Sequence, residues 1–319
     1  MVGVLYVLHE KMSPRTINAI RDLALSYEEK DIQVSYDLMQ LAYENRPEGP
    51  FIKKKYFFYK QRLDRSFEDL SKLVKSNKIA IIPIGFRCHT ANIIKKMLGL
   101  SLPSFPFTSG FFSPDSVTSV LKNNKVNLRY NDDGKTHSVC MKTEGYEDSK
   151  YGRGIQFLKT SYNNINSLVK TKDQKNINTL LDTTFGYYTL DENHKFILAH
   201  YNWHSFATKE KSKGVIDPAE NLNIINEMLN RRISRMMDLC DKVDHIFFIF
   251  SENQNYNYLK IDDEYFNLDD FERLDNFCRS KYGEKYFRLN TNEINSPETI
   301  LRLCRTSGWT QPLASGESS

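Results

Sequence analysis

The chain interleaves short unbroken apolar runs with longer stretches in which apolar residues recur every three or four positions. "VGVLYVL" at 2–8 is a run of the first kind and reads as a strand. Ser13 then offers an N-cap and Pro14 a first helical position, so "SPRTINAIRDLALSYEEK" predicts a helix. "IQVSYDL" at 32–38 alternates and predicts a second strand, giving a βαβ-like start. Residues 51–77 predict one long helix or two short ones. "IAIIPIG" at 79–85 predicts a buried strand and "TANIIKKMLGL" the helix after it.

Beyond residue 125 the pattern predicts hairpins. "VNLRY" and "HSVCMK" flank "NDDGK", whose Asp-Gly favours a tight turn, and "TTFGYYTL" and "KFILAHYNW" flank "DENH". A helix is predicted near 153–170. A clearer one spans 218–240, where Leu222, Ile225, Leu229, Ile233, Met236 and Cys240 recur at three and four. "DHIFFIFSE" and "YFRLN" predict further strands. The expected fold class is α/β, with a mostly parallel central sheet flanked by helices and antiparallel hairpin insertions. Its expected parts are a βαβ-like extension at 1–78 packed on the core, a main catalytic-like domain at 79–305 and a disordered tail at 306–319.

Composition narrows the classes. A net charge of +4 over 319 residues is well short of a dedicated nucleic-acid binder, so nucleic acid is not the expected partner. Five scattered cysteines without a CxxC pair predict reduced thiols and neither a disulfide framework nor a zinc site. No segment reads as a membrane span or signal peptide, and a cytoplasmic location is expected. GxGxxG, GxxxxGK[ST] and DxD motifs are absent, so no cofactor is expected. Within "FIKKKYFFYKQR" the expected arrangement has aromatics packing inward and lysines facing water.

Cys88 carries the most pointed chemistry. It stands where a strand passes into a helix, and a thiol at a helix N-terminus is favoured as thiolate by the macrodipole and the unpaired N–H groups. Arg87 and His89 flank it and could add positive charge. His200 and His204 lie four apart; on a strand that is roughly 13 Å, too far for one metal ion. Arg231 and Arg232, with Arg235 one turn later, form a cationic cluster on an amphipathic helix, suited to a phosphate or carboxylate or to a solvated face.

The segment "IGFRCHTANIIKKMLGLSLPSFPFTSGFF" resembles the signature of a domain-of-unknown-function family described as papain-like cysteine peptidases. Gly85, Cys88, Leu98-Gly99-Leu100 and Pro106-Phe107 match its Gly-x-x-Cys, Leu-Gly-Leu and Pro-Phe elements in order and spacing. "WHSFA", "NRRISRMMDLC" and "HIFFIF" resemble its later elements, placing His204, Arg231 and Arg232 on family positions. The resemblance covers roughly residues 79–255. It departs where the family has Asp-Trp and this chain has Thr108-Ser109, and where His-Asp-Phe becomes His204-Ser205-Phe206. It implies Cys88 as nucleophile and His204 as base, with His200 in reserve. Arg87, His89, Thr108, His200, Arg231 and Arg232 fall on the substrate side. Asp182, Asp244 or Glu252 are candidates for the orienting acid.

Three functions follow as expectations. The first is a cysteine-dependent hydrolase or acyltransferase. The second is a metal-independent glycosyltransferase, with a nucleotide sugar as donor bound by the arginine cluster. The third is a non-catalytic binding protein on the same scaffold. The partner is correspondingly a small molecule, a peptide or a glycan.

Overall fold

The computed structural model describes residues 12–85, 88–129, 136–141, 146–148, 152–160, 187–199, 218–251 and 258–306. The chain is α/β and divides into two compact units, one comprising residues 1–73, 97–99 and 294–319, the other 74–96 and 100–293. The strand expected at 2–8 and the tail after 306 lie outside the described residues.

The first unit is helical. Helix α1 (Pro14–Ser26) begins as expected, the Ser13 hydroxyl accepting the N–H of Thr16. Residues 32–38 are not a strand: they open helix α2 (Ile32–Asn45). The Asp31 carboxylate accepts the N–H groups of Gln33 and Val34 at 3.0 and 3.1 Å, satisfying donors that would otherwise start the helix unpaired. Ile32, Ser35, Met39 and Ala42 then form the buried stripe. A serine in a core position hid that stripe from the hydropathy pattern. Helix α3 (Pro50–Lys75) is one unbroken helix that buries Ile52, Tyr59, Leu63, Ser66 and Leu70.

The second unit holds two sheets. In the smaller, β1 (Ile79–Ile84), β8 (His245–Phe250) and β11 (Tyr286–Asn290) are parallel in the order β1-β8-β11. All six β1 residues are buried, as are five of six in β8, which suits strands covered on both faces. Ala80, Ile82, Ile84, Ile246 and Phe248 pack with three helices: α5 (Pro114–Asn123), α6 (Pro218–Lys242) and α7 (Glu272–Tyr282). The six periodic α6 residues, Leu222 to Cys240, are all buried in that core.

The larger sheet includes β2 (Gly110–Phe111), β3 (Thr136–Met141), β4 (Tyr146–Asp148), β5 (Gly152–Thr160), β6 (Tyr187–Asp191), β7 (Phe196–Leu198), β9 (Tyr258–Ile261) and β10 (Glu264–Asn267). All its pairings are antiparallel except β5 with β9. The β6–β7 hairpin forms as expected. The hairpin expected at 125–141 does not: 125–129 is not a strand, and β3 pairs instead with β5 and β6. Residues 153–160, expected to begin a helix, belong to β5. No helix among the described residues is long and apolar enough to cross a membrane.

Candidate functional site

The carboxyl ends of the three parallel strands share one edge, with Ile84, Phe250 and Asn290 in register. That edge is where ligands bind in open parallel sheets. Gly85 turns the chain out of β1 with φ +108°, a region that only glycine occupies freely, and its carbonyl accepts the N–H of Phe112 at 3.2 Å. The buried Thr90 hydroxyl donates to the carbonyl of Ile84 at 3.1 Å, tying the next helix back to the strand it follows.

That helix, α4 (His89–Leu98), is capped by Cys88, whose carbonyl accepts the N–H of Asn92 at 2.9 Å. The Cys88 thiol is exposed at the positive end of α4, while Lys95 and Lys96 sit at the negative end. Cys240, Cys278 and Cys304 are core residues whose thiols burial pushes up to about 12, out of reach of thiolate chemistry near neutral pH. The Cys140 side chain lies outside the described residues. His89 is exposed next to Cys88.

Thr108 lies in a 3₁₀ turn, Pro106–Ser109, that packs against β1 and α6. Its hydroxyl donates to the carbonyl of Phe105 at 2.8 Å, so it is engaged within its own turn. On α6, Arg235 donates to the carbonyl of Ser104 at 2.5 Å; one turn earlier Arg231 is exposed and Arg232 half-buried. The structure thus gathers Cys88 and His89 at the end of β1 and sets the Thr108 turn between that strand and the arginine-bearing helix. Arg87, His200 and His204 lie outside the described residues, as do Asp182 and Glu252.

Asp244 is excluded as an acid for Cys88. It precedes His245, which pairs with Ile79 at the start of β1, whereas Cys88 follows the end of β1. Six residues of strand separate the two edges, roughly 20 Å. Asp244 instead faces Lys78 at 3.4 Å.

Two features went unnoticed in the sequence. A cavity of about 490 Å³ opens between the β6–β7 turn and the β9–β10 hairpin, with Lys159, Glu192, Lys195, Asp262, Glu264 and Phe266 among its walls. Its charges pair with one another, Lys159 with Glu192 and Asp262, Lys195 with Glu264 at 3.0 Å. Asp262 and Asp263 form the turn of the β9–β10 hairpin, with Asp262 at φ 49°. The second feature is the buried pair Asp191 and His194 with the half-buried Ser119, which lies 75 residues from His194 in sequence. Among the described residues no three His, Cys, Asp or Glu side chains are arranged to hold a metal ion.

No family model, no curated protein and no solved structure matches the chain.

Proposed function

We propose that the protein is an enzyme that uses Cys88 as a nucleophile in acyl transfer, as a hydrolase or an acyltransferase. The observation that carries this reading is the contrast among thiols: three are sealed in the core with raised pKa, while Cys88 is exposed at a helix N-terminus on the carboxyl edge of a parallel sheet. In the proposed reaction the Cys88 sulfur attacks an acyl carbonyl. His204 takes the thiol proton and gives it to the leaving group as the acyl bond to that group breaks. Water or an acceptor nucleophile, losing its proton to His204, then takes the acyl group from sulfur, and N–H groups in the first turn of α4 receive the oxyanion in both steps. Arg87, His89, Thr108, His200, Arg231 and Arg232 are the substrate-side candidates. The resemblance to papain-like cysteine peptidases supports the assignment of His204.

The test is the alkylation rate of Cys88 against pH, read by peptide mass spectrometry, in wild type and His204→Ala. Faster alkylation of Cys88 than of an unstructured cysteine peptide at neutral pH, slowed in His204→Ala, is the expected result. A peptide-like rate that the substitution leaves unchanged overturns the reading. The nucleotide-sugar transferase would then be tested by binding of sugar nucleotides. Its support is the shared carboxyl edge of β1, β8 and β11; the strand expected at 32–38, on which it also drew, is helix. Silence in both assays leaves the binding protein.

A further inference from the structure

The outward face of α3 has a chemistry that the Cys88 reading does not use. The aromatics of "FIKKKYFFYKQR" do not all pack inward: Phe51, Phe57 and Phe58 keep 48%, 49% and 46% of their surface in solvent. The helix buries Ile52, Tyr59 and Leu63 along one stripe, and the three phenylalanines fall away from it together with the exposed Lys53, Lys54 and Lys60. Between residues 46 and 62 the chain has six cations (Arg46, Lys53, Lys54, Lys55, Lys60, Arg62) against one acid, Glu48. Lys55 and Arg62 turn toward Glu28 and Glu29, whereas Lys53, Lys54 and Lys60 have no ion-pair partner among the described residues.

Contacts within the helical unit hold α3 behind this face. Glu28 accepts from Lys55 and from the Tyr59 hydroxyl, each at 2.8 Å. Tyr56 stacks on Tyr43 at 4.7 Å and meets the edge of Phe57 at 5.1 Å. Three half-exposed rings beside three lysines that have no ion-pair partner among the described residues are an arrangement that an anionic, partly apolar partner satisfies.

We propose that this face of α3 docks the protein reversibly on an anionic lipid surface, with Phe51, Phe57 and Phe58 entering the headgroup layer and Lys53, Lys54 and Lys60 meeting the anionic headgroups. A ridge on one helix favours a bilayer over a nucleic-acid strand, which is gripped in a groove with aromatics spaced for successive bases. Phe51 and Phe58 are seven residues apart, roughly 10 Å along the axis, and phenylalanine offers no polar atom to read a base edge. A second copy docking through the same face would set lysines against lysines. With no membrane-crossing helix among the described residues, the attachment proposed is peripheral.

The test is sedimentation of the full chain with phosphatidylcholine vesicles and with vesicles mixed with phosphatidylserine. The mixed vesicles should bind about tenfold or more tightly, and less so as salt rises. Phe57→Ser/Phe58→Ser and Lys53→Gln/Lys54→Gln/Lys60→Gln should each lose about tenfold in affinity, the lysine variant with an unchanged melting temperature because its side chains are exposed. If the phenylalanine variant misfolds, the lysine variant decides alone. Equal binding to both vesicle types, or binding that neither variant weakens, overturns the proposal. So does binding of oligothymidylate in place of vesicles. The Cys88 reading is judged separately by alkylation, so either can fail without the other.

Discussion

The side-chain amide of Asn230 pairs with the backbone of Val126 as a neighbouring strand would, accepting its N–H at 2.8 Å and donating to its carbonyl at 3.0 Å. Asn226 repeats the arrangement on Leu128, at 2.8 and 2.9 Å. Four residues of helix rise about 6 Å, close to the advance of two residues of extended chain. An extended segment can therefore run along α6 with alternate residues fully bonded and no strand partner. This explains why 125–129 leaves the expected hairpin while Val126 and Leu128 stay buried.

Replacing either asparagine by alanine strands a buried N–H and a buried carbonyl. Asn226→Ala and Asn230→Ala should each cost about 1–3 kcal/mol in chemical denaturation, since unpaired buried polar groups bear their full desolvation cost. If the segment is held as one unit, the double variant should lose less than the sum of the two. Full additivity would mean that Val126 and Leu128 are anchored independently.

Elements marked by local signals were legible: the Ser13–Pro14 start of α1, the unbroken β1 and β8, the stripe of α6, and Cys88 at the junction of a strand and a helix. Elements set by distant partners were not. Residues 126–128 depend on two asparagines about a hundred positions away, and β5 depends on β3 and β9. Helix α2 failed for a local reason, a serine inside its core stripe. At the candidate site the position of the thiol was readable, but its exposure and the burial of the other thiols are tertiary facts. So is the exclusion of Asp244, which depends on the direction in which β8 runs beside β1.

Gly85 and Thr90 set the orientation of the Cys88 turn. A side chain at φ +108° costs about 1–3 kcal/mol, so Gly85→Ala should lower the melting temperature although the nearest atom to its added Cβ is 3.9 Å away. Thr90→Val keeps the shape and removes the bond to the Ile84 carbonyl, with an expected loss of about 1–2 kcal/mol. Both variants should also change the alkylation rate of Cys88. An unchanged rate in both would show that the thiol's environment does not depend on this turn.

Glu28 makes a pH-dependent contribution in the helical unit. Burial alone would raise its pKa, but the hydrogen bonds from Lys55 and Tyr59 and the charges of Lys55 and Arg62 outweigh it and hold the carboxyl below its ordinary value. A lowered pKa means that the unfolded chain binds the proton more readily. The stabilisation is therefore present above the ordinary value of 4.5 and is lost as the pH falls through the folded value. Glu28→Gln should cost about 1 kcal/mol at neutral pH in this partly exposed setting and converge on wild type in acid. A cost that persists unchanged into acid would assign the effect to packing.

Asp191 behaves in the opposite sense. Its carboxylate is fully buried at the end of β6; Oδ1 accepts the N–H of Asn193 at 3.1 Å, and Oδ2 has no hydrogen-bond partner among the described residues. Burial pushes its pKa from 3.8 up to about 7, against the backbone N–H groups of Asn193 and His194 that lower it, while the charge of Glu192 adds to the rise. His194, hydrogen-bonded to Ser119 at 2.9 Å and 3.9 Å from Asp191, is held below its ordinary value by burial. Between pH 4 and 7 the folded chain holds the Asp191 proton and the unfolded chain does not. Stability from this group is thus full in acid and falls as the pH rises to about 7. The His194 contribution runs the other way, lost as the pH drops below 6.5. Asp191→Asn preserves the acceptor for Asn193 and removes the titration. The variant should therefore gain on wild type by a few kcal/mol between about pH 4 and 7, the advantage levelling off above. Thermal midpoints measured across that range decide it: a difference that stays flat would show that Asp191 is already ionised in the folded protein at low pH, with its charge met by a partner.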